Sequence, residues 1–333
     1  MKLLVIGGSR FGGRHLVDAA RARGDQVTLF NRGQSAPGPR AGVEQRVGDR
    51  QGDLAALAEG EWDVVVDTCG YLPRDVERMA DGLHGRVGRY VFFSSVSAYA
   101  DARQPNDEDA PLGSIADPET ELIDGRTYGP LKALCEQAVS ARFGEQALLI
   151  RPGLVVGPFD PTQRFTWWPA RIARAADGQA VLAPGDPAAP VQFIDARDLA
   201  AFVLHAATAG RNGPFNVVCP PGRWQMGDVL QACAEAAGTQ PRLKWASAAA
   251  LQAQGVQPWI ELPLWLPDDG EHAAFMQVPS TRALAAGLQV RPLAETVVDT
   301  LRWYRSLPPE QAAFTKAGLS AEKEAAVLAS LQA

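Results

Sequence analysis

Along the first half of the chain, short runs that are apolar throughout alternate with longer stretches of helical period. Leu3–Ile6, Val27–Phe30, Val64–Val66, Tyr90–Phe93 and Leu148–Ile150 have strand length and end at glycine or polar residues, and a weaker candidate lies around Val43–Val47. Between them, Leu16, Val17 and Ala20, then Val76, Met79, Ala80 and Leu83, then Leu131, Leu134, Cys135, Ala138 and Val139 recur at the spacing of a helix with one buried face. Strands without polar alternation belong in a parallel sheet covered on both sides. The pattern therefore predicts an α/β fold built on a doubly wound parallel sheet.

The texture changes after Pro152. Prolines punctuate the chain at 158, 161, 184, 187 and 190, and seven of the eight tryptophans lie beyond residue 160. Val191–Ile194, a helical stretch from Asp198 to Ala209, and Phe215–Val218 read as a further unit returning to the first sheet. Ser320 is placed to cap a terminal helix carrying Ala325, Leu328 and Leu331. Two domains are expected: residues 1–160 with the return segment 191–218, and a smaller C-terminal α+β domain made of 161–190 and 219–333.

Composition narrows the class of partner. With 333 residues, 46% hydrophobic and 21% charged, the chain is long and apolar enough to bury a sizeable core. Its formal charge of −6 offers no general cationic field for nucleic acid, so a small-molecule partner is expected and a nucleic-acid partner is not. Cys69, Cys135, Cys219 and Cys233 never approach CxxC spacing and lack a histidine cluster, so no metal site is expected. Only four strongly apolar residues follow Met1-Lys2 before Gly7, too few for a signal-peptide core, and no later run has membrane-spanning length. The expected address is the cytoplasm, with no membrane partner; a homodimer is compatible with the sequence.

The first strand runs into Gly7-Gly8-Ser9-Arg10-Phe11-Gly12-Gly13, and a helix follows. A helix N-terminus in that setting holds a pyrophosphate: Gly7 allows the tight turn, Gly8 clears the phosphate, and Gly13 lets the helix pack closely. At the end of the second strand, where an acid would read a ribose 2′-hydroxyl, the chain has Asn31 and Arg32. Arg10 and Arg32 are able to grip a 2′-phosphate in forked geometry, which favours NADP(H) while leaving NAD(H) open; the alternative leaves both guanidiniums in solvent. Asp49 either accepts a bond from the adenine amine or serves only its own turn.

Tyr128 and Lys132 stand one helical turn apart at the start of the clearest helical pattern. A phenol is a poor base at neutral pH, but an adjacent ammonium and a cationic nicotinamide ring both favour the phenolate, so Tyr128 is expected to shuttle a proton and Lys132 to lower its pKa and hold the nicotinamide ribose. Ser95, just past the Tyr90–Phe93 strand, would bond the reacting oxygen. Ser94, Ser95 and Ser97 are otherwise ordinary loop-initiating hydroxyls.

These residues resemble a known family, the extended and atypical short-chain dehydrogenase/reductases with the NAD(P)-dependent epimerase/dehydratase group. The resemblance is carried by the glycine loop, Asp49, Ser95 with Tyr99, Tyr128 and Lys132, Arg151-Pro152-Gly153 with Gly157-Pro158, and Phe193-Ile194-Asp195 with Arg197-Asp198. It spans about residues 1–220. The resemblance implies a Rossmann domain that binds the cofactor, a smaller substrate domain, Ser95, Tyr128 and Lys132 as the catalytic set, and hydride transfer at a carbinol or carbonyl carbon. Arg10 departs from the glycine usual there and is similar to a subgroup with a G-G-[ST]-R-F loop that includes chloroplast stem-loop RNA-binding proteins. A non-catalytic nucleotide-sensing or RNA-binding protein on the same fold is the alternative reading.

For the substrate side, Arg164, Trp168 and Gln192 are the candidates, with tryptophans clustered in a small domain equally able to form its core. The stretch Asp101–Asp124 carries eight acids against Arg103 alone, and reads as a solvated loop beside the site.

Overall fold

The computed structural model describes residues 1–34, 40–52, 54–267 and 270–331. Strands β1 (Lys2–Ile6), β2 (Gln26–Asn31), β3 (Glu44–Val47), β4 (Val64–Asp67), β5 (Tyr90–Phe93) and β6 (Ala147–Pro152) form one sheet with Gly213–Val217. Its spatial order is Gly213–Val217, β6, β5, β4, β1, β2, β3, and every neighbouring pair is parallel. The four central strands are buried almost throughout, as runs without alternation require. β3 has the weakest apolar pattern because it is an edge of the sheet. Its sequence Glu-Gln-Arg-Val is polar, and Glu44 is used locally, accepting from Thr28 and Arg46 at 2.8 Å each.

Helices α1 (Phe11–Ala22), α2 (Pro73–Leu83) and α3 (Tyr128–Phe143) form the crossovers, together with Ala196–Thr208; α1 packs on that last helix and α2 on α3. Val76, Met79, Cys135 and Val139 from α2 and α3 cover Leu4, Ile6, Val65 and Phe92 of the sheet. This is the doubly wound, Rossmann-like sheet that the hydrophobic pattern predicts.

The chain divides into two compact units. The first is Met1–Leu154 with Ala196–Val218 and Val278–Gln289; the second is Val155–Asp195 with Cys219–Gln277 and Val290–Ala333. Hydrophobic pattern alone leaves 278–289 with the C-terminal part. In the first unit, however, Asn216 holds this segment by donating to the Pro279 carbonyl at 3.0 Å. Val191–Ile194 is not a strand of the main sheet. Pro190–Val191 and Phe193–Asp195 are separate short strands in the second unit, broken at Gln192. The second unit also holds the parallel pair Ala180–Pro184 and Arg242–Ala246, and helices Arg164–Ala173, Met226–Ala237, Leu293–Arg305 and Ala321–Ser330. The terminal helix is capped by Ser320, whose side chain accepts from the Lys323 N–H at 3.2 Å. Its Glu324 receives a forked pair of bonds from Arg171 at 2.7 and 3.0 Å.

Candidate active site

The glycine loop behaves as its composition demands. Gly7 and Gly8 have φ of 92° and 73°, and a Cβ on Gly7 would lie 2.6 Å from the Thr68 hydroxyl, on Gly8 2.6 Å from Leu29. A Cβ on Gly13 would lie 2.8 Å from the Gly8 backbone, so Gly13 is what lets α1 close on the loop. Gly12 carries no such constraint, its nearest neighbour being Phe93 at 3.8 Å. Phe11 has φ of 32°, an unusual left-handed conformation for a bulky residue. α1 has no side-chain cap and no acid in its first turn, which leaves its N-terminal N–H groups and positive dipole end for an anion.

Asn31 ties β2 to this loop by donating to the Gly7 carbonyl at 3.2 Å and the Ser9 hydroxyl at 3.1 Å. Arg10 and Arg32 are exposed and make no ion pair or side-chain hydrogen bond among the described residues. Asp49 accepts the Gln51 N–H at 3.0 Å, which defines its turn. Its neighbour Arg50 carries no local sequence signal. That guanidinium forks onto buried Asp67 at 2.9 and 2.8 Å, and Asp67 also accepts from the Tyr90 hydroxyl and the Cys69 N–H. Burial pushes the Asp67 carboxyl up, but Arg50 beside it reverses the shift and holds it below the ordinary carboxylate value.

Ser95, Tyr128 and Lys132 come together at the carboxyl ends of the strands, where open α/β sheets bind ligands. Tyr128 opens α3, whose start is fixed by Asp124 accepting the Arg126 and Thr127 N–H groups at 2.8 and 3.0 Å. The next residue, Gly129, decides the geometry: a Cβ there would overlap the Ser97 carbonyl, so glycine lets α3 press against the Ser95–Ala98 turn. Ser95 is buried and accepts the Ser97 N–H at 3.1 Å, and its hydroxyl also acts on the Tyr128 phenol in the direction that favours the phenolate.

Lys132 is 3% exposed, and its ammonium donates to the Gly70 and Phe93 carbonyls at 2.7 Å each. It lies 4.8 Å from the Tyr71 ring, 4.9 Å from Phe92 and 5.9 Å from Tyr128. Burial drives its pKa down to about 8. Burial also pushes Tyr128 up to about 12, with Tyr71 adding to the rise and Ser95 opposing it. Desolvation of Tyr128 is the dominant influence on its phenol.

The motif residues Tyr99 and Arg151 prove structural. Arg151 forks onto Glu136 at 2.9 and 2.6 Å and donates to the Tyr99 hydroxyl at 3.0 Å, which in turn donates to Asn216 at 2.6 Å. Glu108 is buried in the same cluster and accepts the Asn216 N–H at 2.9 Å. The acidic stretch is therefore partly framework rather than a wholly solvated loop; Asp109 and Glu121 pair with Arg282 and Arg74.

The three substrate-side candidates lie in the second unit. Trp168 is 0% exposed and donates to the Pro263 carbonyl at 2.7 Å, so no face of its indole is open to a ligand. Gln192 is buried and donates to the Cys219 carbonyl at 2.8 Å. Arg164 is half-buried, 5.4 Å from the Trp259 ring. Among the described residues, no helix is long and apolar enough to cross a membrane.

Comparison with known proteins supports the resemblance read from the motifs. Residues 74–218, which include Ser95, Tyr128 and Lys132, match the NAD dependent epimerase/dehydratase family. The Bordetella bronchiseptica enzyme WbmH in complex with NAD+ is 16% identical over 92% of this chain and 98% of that one, with a TM-score of 0.65. UDP-glucose 4-epimerase from Thermotoga maritima with UDP-glucose is 19% identical over 92% and 99%, TM-score 0.65. Human epimerase family protein SDR39U1 with NADPH is 22% identical over 91% and 99%, TM-score 0.60. At these identities the structures share the fold. No curated protein matches the sequence.

Proposed function

We propose that the chain is an NAD(P)-dependent oxidoreductase of the epimerase/dehydratase type, preferring NADP(H), that acts at a carbinol or carbonyl carbon of a small molecule. The observation that carries this reading is a buried, carbonyl-held Lys132 one helical turn from Tyr128, whose phenol feels the Ser95 hydroxyl, in the same unit as a phosphate-type glycine loop. The loop fits a dinucleotide on its own terms: Gly7, Gly8 and Gly13 have no room for a Cβ, and the N-terminus of α1 lacks a capping side chain. Ser9, Phe11 and Asn31 shape that cradle. Two exposed guanidiniums without partners among the described residues, Arg10 and Arg32, match a 2′-phosphate, and the Asp49 oxygen not used by Gln51 suits the adenine amine. Among proteins of this fold, one is described with NADPH, another with NAD+ and a third with UDP-glucose.

A bound nicotinamide dinucleotide supplies the hydride donor or acceptor. The protein's share is proton transfer and positioning. Ser95 holds the substrate oxygen by its hydroxyl, and Tyr128 takes the proton from a substrate hydroxyl or returns it to a carbonyl. Lys132 has two of its three donors on carbonyls, so the third serves a ribose hydroxyl while its charge favours the phenolate.

Titration of the purified protein with NADPH and NADH, read by nicotinamide fluorescence, and turnover of a panel of alcohols, carbonyl compounds and UDP-sugars test the proposal. Tyr128→Phe is expected to bind cofactor as the wild type does and to lose about 10²–10⁴ in turnover. Retained turnover in Tyr128→Phe, or no saturable binding of either cofactor to the wild type, would overturn it.

A further inference from the structure

We infer that the second unit carries a separate binding pocket for a small organic ammonium ion, recognised by the buried carboxylate of Asp160 within aromatic walls. The cavity, of about 210 Å³, is lined by residues 159–166 and 303–316 of that unit alone. It uses no residue of the nicotinamide reading and stands or falls separately.

The walls are aromatic. Phe159 and Trp303 pack against each other tilted by 52° with centroids 5.5 Å apart, and Tyr304 stacks on Phe314 at 5.4 Å. Most polar groups in the lining are already committed to backbone. Gln163 donates to the Ala313 carbonyl and accepts the Thr315 and Lys316 N–H groups, Lys316 donates to the Pro161 carbonyl at 3.0 Å, and Tyr304 donates to the Ala312 carbonyl at 3.1 Å. These bonds clamp the tail segment to the 159–163 turn, which is held with Phe159 and Gln163 at φ of 70° and 62°.

Two groups are left over. Asp160 is 2% exposed; its Oδ1 accepts the Thr162 N–H and hydroxyl at 2.8 and 2.7 Å and the Phe165 N–H also acts on the carboxylate, but its Oδ2 makes no hydrogen bond of good geometry among the described residues. Thr166, also 2% exposed, has an unpartnered hydroxyl. Buried polar atoms are nearly always bonded, and buried carboxylates are paired. Asp160 has no ion-pair partner among the described residues; Arg164 acts on it only at longer range. A ligand that completes the site must bring hydrogen-bond donors and positive charge on a compact head, with an apolar body for the rings. That is an ammonium rather than a sugar or an anion. The volume is below the roughly 300–1,000 Å³ of sites for drug-sized molecules, which restricts the body to a short chain or a single ring. Gln311 and Lys316 are exposed, so the cavity communicates with solvent.

The test is calorimetric titration of the full chain with 2-phenylethylammonium, 2-phenylethanol and phenylacetate, which share a body and differ in head charge. Saturable binding of the ammonium, at least about tenfold tighter than the alcohol or the acid, is expected. Asp160→Asn keeps the acceptor that Thr162 uses and removes the charge; it should weaken ammonium binding at least about tenfold while unfolding at a higher temperature than the wild type. If that variant does not fold, Thr166→Val carries the test with an expected loss of severalfold. Absence of saturable ammonium binding, equal binding of the three probes, or wild-type affinity in the folded variants refutes the site.

Discussion

Lys132 in the first unit and Asp160 in the second are both ionisable side chains sealed from water, 3% and 2% exposed, and neither has an ion-pair partner among the described residues. Burial moves both toward neutrality, Lys132 down to about 8 and Asp160 above its ordinary value. Their hydrogen bonding differs. Two carbonyls and three aromatic faces receive the Lys132 ammonium, whereas one oxygen of Asp160 makes no hydrogen bond of good geometry among the described residues. A seated charge of the first kind is a prepared tool, fixed before any ligand arrives. The second kind is an open valence, and its cost is recovered only when something binds.

The largest expected effect attacks the framework under Lys132. Arg50→Met leaves Asp67 charged and unpaired in the core, and chemical denaturation should show a loss of about 3–5 kcal/mol. Because Asp67 begins the turn that ends at the Gly70 carbonyl, cofactor binding should weaken with it. The Lys132 charge itself is next. Its folded pKa of about 8 lies below the unfolded value of 10.5, so between these pH values the unfolded chain binds the extra proton and stability rises with pH. The wild type should therefore gain on Lys132→Met by up to about 3 kcal/mol across that window, measured by denaturation at each pH. No such gain would mean that the ammonium is better solvated than its surroundings indicate.

Gly129→Ala should cost about 1–3 kcal/mol by forcing α3 off the Ser95–Ala98 turn, and should lower turnover more than cofactor binding. Ammonium binding at Asp160 should not change, which separates the two regions. The smallest effect concerns surface charges without partners among the described residues. Arg10→Ala and Arg32→Ala should each lower the preference for NADPH over NADH about tenfold in fluorescence titration, with little change in stability.

Strand positions and the proximity of the proposed trio Ser95, Tyr128 and Lys132 are legible because each rests on local pattern. A continuous apolar run specifies a covered strand, and a Tyr and Lys one turn apart share a helix face whatever lies around them. The polar edge strand β3 was faint because an edge needs little apolar content. Val191–Ile194 misled because its run reads as one strand, while Gln192 turns its side chain to the Cys219 carbonyl and splits it. Arg50 and Gly129 were invisible for a different reason: their roles depend on Asp67 and Ser97, partners distant in sequence whose placement only the fold determines. Trp168 was ambiguous by chemistry, since an indole serves a core and a binding face equally well.

The order of the main sheet has a kinetic corollary. β1, β4 and β5 lie side by side, yet each is separated from the next by a full crossover, so the loop and the trio meet only after several long-range closures. No fragment spanning one or two of these strands assembles the crevice. During refolding, cofactor fluorescence should consequently appear late and together with the last cooperative phase, which makes nicotinamide binding a direct clock for completion of the native topology.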